Sequence, residues 1–60
     1  NIRPVIVEDR LVGKSFEECV AELVTTRGMV ALALQDADGT IHINPGKRLV
    51  VAGEVLLALG

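Results

Sequence analysis

The sequence predicts a small α+β fold, one amphipathic helix packed on a mainly antiparallel sheet, and three observations predict it. A helix start signal, Ser15 followed by Glu18, opens a stretch with helical apolar spacing. A run of apolar residues follows a glycine stop, and two further short apolar segments lie beyond turn residues. The order is therefore β-α-β-β, a short extended piece, then β: a single domain over residues 1–60 of βαβββ type.

Each element has a local cause. Pro4-Val5-Ile6-Val7-Glu8 is a short β-branched run, and Pro4, which has no N–H to donate, suits its first position or a sheet edge. Ser15 and Glu18 form a capping-box pattern, in which hydroxyl and carboxylate satisfy free amides at a helix start. Glu17 and Glu18 also sit where the helix dipole favours negative charge. Phe16, Cys19, Val20 and Leu23, with Val24 adjoining, follow the i, i+3, i+4, i+7 stripe, and Glu17, Glu18 and Glu22 lie off it. Arg27 and Gly28 close the helix with a cation in the last turn and a residue free to adopt the left-handed conformation. Met29–Leu34 is long enough for a buried strand and too short for a second helix. Asp36-Ala37-Asp38-Gly39 is a turn, after which Thr40–Ile43 alternates and pairs back as a hairpin. Asn44-Pro45-Gly46-Lys47 breaks the pattern, Leu49–Ala52 is a short extended piece, and Val55–Leu59 is the last strand.

Composition narrows the function. Half of the 60 residues are apolar, but Phe16 is the one aromatic, so Val, Leu, Ile and Ala must build the core. A domain this short buries only about 60% of the surface its unfolded chain exposes, and usually needs a disulfide, a metal or a partner. Cys19 is the one cysteine and His42 the one histidine, so neither an internal disulfide nor a soft-ligand metal site is expected. That leaves oligomerisation, or attachment to a longer chain from which residues 1–60 read as an excised segment. A net charge of −2 with interspersed signs argues against a nucleic-acid backbone as partner. No apolar run approaches the roughly 20 residues of a membrane span, so direct membrane insertion is not expected. The unpaired thiol is compatible with a reducing cytoplasm.

No catalytic constellation is visible. His42 has no serine or cysteine at a family-like spacing, and Cys19 lies on the apolar helix stripe, where it reads as a small core hydrophobe. Asp36 and Asp38 lack the longer ligand series of a calcium loop, and turn chemistry explains them. Gly13-Lys14-Ser15 imitates the end of a phosphate-binding loop, but the earlier glycine would fall on Glu8. The chain is expected not to be an enzyme.

Several separated pieces together resemble one family, the TrkA-C domain, the C-terminal regulatory lobe of potassium channels and potassium transporters. Leu11-Val12-Gly13-Lys14-Ser15 is similar to the segment that opens the family's helix, and Gly28 with Met29–Leu34 to its glycine-led strand. Asp38-Gly39 and Asn44-Pro45 resemble its hairpin turn and exit, and Gly53–Gly60 its closing Gly-Asp-x-Leu-x-hydrophobic-x-Gly. Two departures stand out: Glu54 replaces the family's aspartate, and Lys47-Arg48 stand where an acidic residue is common. The resemblance implies a cytoplasmic lobe attached to a membrane potassium channel or transporter, forming a homodimer or higher homo-oligomer and controlling gating. It further implies a cyclic dinucleotide or an ion as ligand, with Ile41, His42, Asn44 and Pro45 as candidate lining. On that reading Ile41 and Pro45 offer apolar contact to a base, and His42 and Asn44 offer hydrogen bonds. The alternatives are a purely structural dimerisation module and a fragment of an enzyme whose active site lies elsewhere.

Overall fold

A computed structural model describes residues 1–60. Its elements are β1 (Ile2–Ile6), a single 3₁₀ turn (Asp9–Leu11), α1 (Phe16–Arg27), β2 (Val30–Gln35), β3 (Ile41–Ile43) and β4 (Val55–Leu59). The four strands form one sheet in the order β1-β4-β2-β3, and every neighbouring pair is antiparallel. The predicted α+β class is therefore what the chain adopts.

The helix begins as the sequence indicates. Ser15 Oγ accepts from the Glu18 amide at 3.2 Å, and the Glu18 carboxylate accepts from the Ser15 amide at 2.9 Å. The next two amides are also satisfied: Phe16 N donates to Arg48 O and Glu17 N to Gly46 O, each at 2.9 Å. These bonds fasten the loop after β3 across the helix start. The same loop is held by Gly13 N to Val50 O and Val50 N to Lys14 O, both 2.8 Å, and by an isolated antiparallel bridge between Ser15 and Leu49. At the other end Gly28 adopts φ 64°, and its amide donates to the Leu23 and Val24 carbonyls.

Three features differ from the sequence reading. The first strand runs from Ile2, so Pro4 falls inside it; the strand is a sheet edge, where a missing N–H costs no ladder bond. The 3₁₀ turn at Asp9–Leu11 carries no strong local signal. Its bonds, Leu11 N to Glu8 O and Val12 N to Asp9 O, bring Leu11 beneath the helix. On the helix stripe Phe16, Cys19 and Leu23 are buried and Val20 is partly so, whereas Val24 is exposed.

The core lies between the helix and one face of the sheet. Phe16, Cys19, Leu23 and Leu11 meet Val5, Ala31, Leu34, Leu56 and Ala58, with Val7, Met29 and Val50 closing the sides. The register explains which strand residues are inside. Val5 opposes Leu56, Leu56 opposes Leu34, and Ala58 opposes Ala31, so these five share the helix-facing side of the pleat.

Candidate functional site

The hairpin of β2 and β3 carries most of the residues the sequence nominates, and strand alternation divides them. Ala33 pairs with Ile43, Leu34 with His42, and Gln35 with Ile41. Ile41 and Ile43 therefore project from the sheet face away from the helix, and His42 from the helix-facing side with Leu34. Asn44 leaves the strand in the left-handed region at φ 43°, with its amide donating to Leu32 O at 2.8 Å. Asparagine tolerates this conformation better than most residues. The Pro45 carbonyl accepts from Arg48 N at 3.1 Å and closes the following turn. Ile41 thus lies on one face, His42 on the other, and Asn44 and Pro45 at the start of the loop between β3 and β4.

On the helix-facing side the polar groups satisfy one another. His42 Nε2 lies 2.8 Å from Asp36 Oδ2, and the Arg48 guanidinium is 3.9 Å from Asp36 and 3.6 Å from Glu54. Asp36 Oδ1 accepts from the amides of Asp38 and Thr40, and Asp38 Oδ1 also accepts from Thr40. The Asp38 side chain foremost, then His42 and the turn amides, holds the Asp36 carboxyl down at about 2. The two aspartates are thus spent on the turn. Glu54 is only 3% exposed, and its Oε1 accepts from the Val51 amide at 2.8 Å. Around the helix, Glu8 pairs with Arg10 and Arg27, and Arg10 reaches Glu22. Hydrogen bonding and charge from Arg10, reinforced by Arg27, lower the Glu8 carboxyl from its usual value. Cys19 is fully buried, and desolvation raises its thiol, which disfavours the reactive thiolate. No buried side-chain nitrogen or oxygen lacks a partner.

The other face of the sheet has no such cover. The register places Ile2, Pro4 and Ile6 of β1 on it, opposite Leu59, Leu57 and Val55 of β4. Val30, Leu32 and Ala33 of β2 continue the surface to Ile41 and Ile43 of β3, and Gln35 is its one polar residue. A register shift between Ala31 and Ala33 lets β2 present Leu32 and Ala33 together on this side. A groove of about 330 Å³ crosses the middle of the face. It is lined by Ile2, Leu32, Ala33, Ile41, Ile43 and Leu57, all of them hydrophobic. A second hollow of about 370 Å³, bounded by Arg3, Pro4, Val5, Arg27 and Met29, lies beside the sheet edge; Arg27 is already engaged by Glu8 there.

Of the nominated ligand residues, then, Ile41 alone lines the apolar groove. Sequence reasoning did not single out Ile2, Leu32, Ala33, Ile43 and Leu57. The available signal was that β2 and β4 are apolar at both phases of the alternation, which marks both faces as meeting something apolar. No helix is long and apolar enough to cross a membrane. Compared with known proteins, the chain matches no family model, no curated protein and no solved structure.

Proposed function

We propose that the chain is a non-catalytic regulatory lobe of a potassium channel or potassium transporter, one that dimerises and passes a ligand- or ion-driven change to a gate. The resemblance of ordered segments across nearly the whole chain supports this reading. The observation that carries it is the apolar groove on the outer sheet face, where Ile41 lies beside Ile43 at the hairpin. A regulatory lobe needs a contact surface whose arrangement a ligand can bias, because a ligand shifts an equilibrium only by its differential affinity for two states. An uncovered apolar face bordering the hairpin and the Asn44-Pro45 turn meets that requirement. A cyclic dinucleotide or an ion bound at the hairpin ends of two copies would favour one arrangement of the pair.

One observation favours a second reading, a structural dimerisation module with no ligand of its own. Ligand pockets are mostly apolar but carry a few placed polar groups that fix orientation. This groove is lined only by hydrophobic side chains, and His42 points to the opposite side. A thermal-shift screen with cyclic dinucleotides, nucleotides and divalent cations separates the two. Ligand at 100 times its dissociation constant contributes about 2.7 kcal/mol, which for a chain of this size raises Tm by roughly 10 °C or more. A flat response to every compound would remove the sensing role and leave the structural module.

A further inference from the structure

We propose that the hollow between β1 and the end of the helix binds a small organic oxyanion, a phosphate or a carboxylate carried on a short apolar body. The hollow lies at the β1 edge of the sheet, opposite the β3 hairpin, and the inference does not depend on the functional reading above.

Register builds the site. Arg3 precedes the core residue Val5 by one full alternation of β1, so its side chain leaves the sheet on the helix-facing side. Its cross-strand row continues through Ala58 of β4 to Ala31 of β2, and both are small, which keeps that row shallow. Arg27 reaches the same hollow from the last turn of α1, and Met29 from the connection to β2. The volume is about 370 Å³, at the lower end of the range of small-molecule pockets. Val5 and Met29 belong to the core and are buried, whereas both arginines are exposed, so an apolar floor meets a charged rim. Pro4, with no N–H to offer, makes this edge a poor place for another strand to add and keeps the hollow open.

Charge then sets the sign of the ligand. The lining holds two guanidinium groups and no carboxylate. Arg3 is the one arginine without an acidic partner: Arg10 pairs with Glu8 and Glu22, Arg27 with Glu8, and Arg48 with Asp36 and Glu54. Arg27 donates from Nη2 to Glu8 Oε1 at 2.8 Å, which leaves its Nε and Nη1 unengaged, and it shares that carboxylate with Arg10. The helix end does not occupy these groups, because the Leu23 and Val24 carbonyls accept from the Gly28 and Met29 amides. Two planar forks at one hollow suit the oxygens of a phosphate or a carboxylate, which arginine binds in bidentate fashion. An anion between them also offsets the repulsion of two like charges. The floor of Val5 and Met29 gives a short hydrocarbon body an apolar contact.

The test is a proton–nitrogen correlation NMR titration of the chain at constant ionic strength, with inorganic phosphate, n-butyl phosphate and butyrate as probes. The expected result is saturating shifts at the Arg3 and Arg27 Nε–H groups and at the Val5 and Met29 amides. One of the two butyl compounds should bind more tightly than inorganic phosphate, and which one does so identifies the head group. Arg3→Gln, which breaks no side-chain contact within the chain, should weaken binding about 10-fold or more. Lys47→Gln removes the same charge outside the hollow and should change binding by less than about twofold. Arg3→Lys keeps the charge without the fork and should fall between the two. Arg27→Gln should also weaken binding; should the loss of its Glu8 bond unfold it, Arg3→Gln decides the question alone. Shifts that rise without saturation for every probe would make Arg3 a solvated edge charge only and overturn the site. Equal binding by Arg3→Gln and the unmodified chain would overturn it too, as would saturation centred on the His42 hairpin. Inorganic phosphate binding as tightly as both butyl compounds would overturn the apolar body while leaving the oxyanion site.

Discussion

Glu54 gives a sharp test of how the loop between β3 and β4 is built. Its carboxylate is buried at 3% exposure, accepts from the Val51 amide at 2.8 Å, and lies 3.6 Å from Arg48. Gly53, at φ 88°, lets the chain turn tightly enough for the side chain to reach back three residues. Glu54→Ala removes a charge-assisted acceptor from the partly buried hydrogen bond to the Val51 amide, a loss of about 2 kcal/mol. Glu54→Gln keeps an oxygen at the same reach and should cost under about 1 kcal/mol. Glu54→Asp, shorter by one methylene, cannot span the distance without moving the turn and should resemble alanine. Total stability of a 60-residue domain is roughly 3–9 kcal/mol, so the alanine loss is a large fraction of it. It corresponds to a fall in Tm of about 8–16 °C for a domain this small. Thermal melts at one fixed chain concentration read all three variants. A Tm for Glu54→Ala within about 2 °C of the unmodified chain would refute the reasoning, as would a glutamine variant no better than the alanine one.

Three further predictions follow from other parts of the fold. Ser15→Ala removes the helix cap and should cost about 1 kcal/mol, read as a Tm fall of roughly 4–8 °C; an unchanged melt would mean that the loop bonds from Arg48 and Gly46 suffice. Gly28→Ala forces a β-carbon into the left-handed region and should destabilise by about 1–2 kcal/mol in the same assay, although space around the position is open. The Asp36 carboxyl is held at about 2 in the folded chain against an ordinary value of 3.8, so its stabilising contribution is complete above about pH 4 and disappears as pH falls through 2. Denaturant melts of Asp36→Asn should therefore lose part of the acid dependence between pH 4 and 2, and an identical pH profile would show that Asp36 is not its source.

The local signals carried far because their causes lie within a few residues. The Ser15–Glu18 box, the Gly28 stop, the Asp38-Gly39 turn and the strand Val55–Leu59 stand where the sequence indicates. The strand order β1-β4-β2-β3 was not legible. It joins the first strand to the last across most of the chain, and no local pattern encodes that pairing. The Gly46–Val50 segment, held mainly by main-chain bonds to residues 13–17, was equally out of reach. The continuous apolar run of β2 reads as a buried strand, yet of its outward-facing residues only Ala33 is buried within one chain, while Leu32 and, on β4, Val55 and Leu57 stay partly exposed. The same ambiguity hid the outer groove. Alternation at Ile41-His42-Ile43 marks a face without saying which side the helix takes, and the division of Ile41 from His42 follows only from the register.

The central claim is that one chain leaves an apolar sheet face for a second to cover, and the dependence of melting on concentration tests it most directly. For a folded dimer that unfolds to separate chains, each tenfold increase in concentration adds about 0.7 kcal/mol per chain, or roughly 3–5 °C in Tm. The account predicts that rise across roughly 5–500 µM. A Tm constant over the whole range, with a sharp and reversible transition, would contradict it.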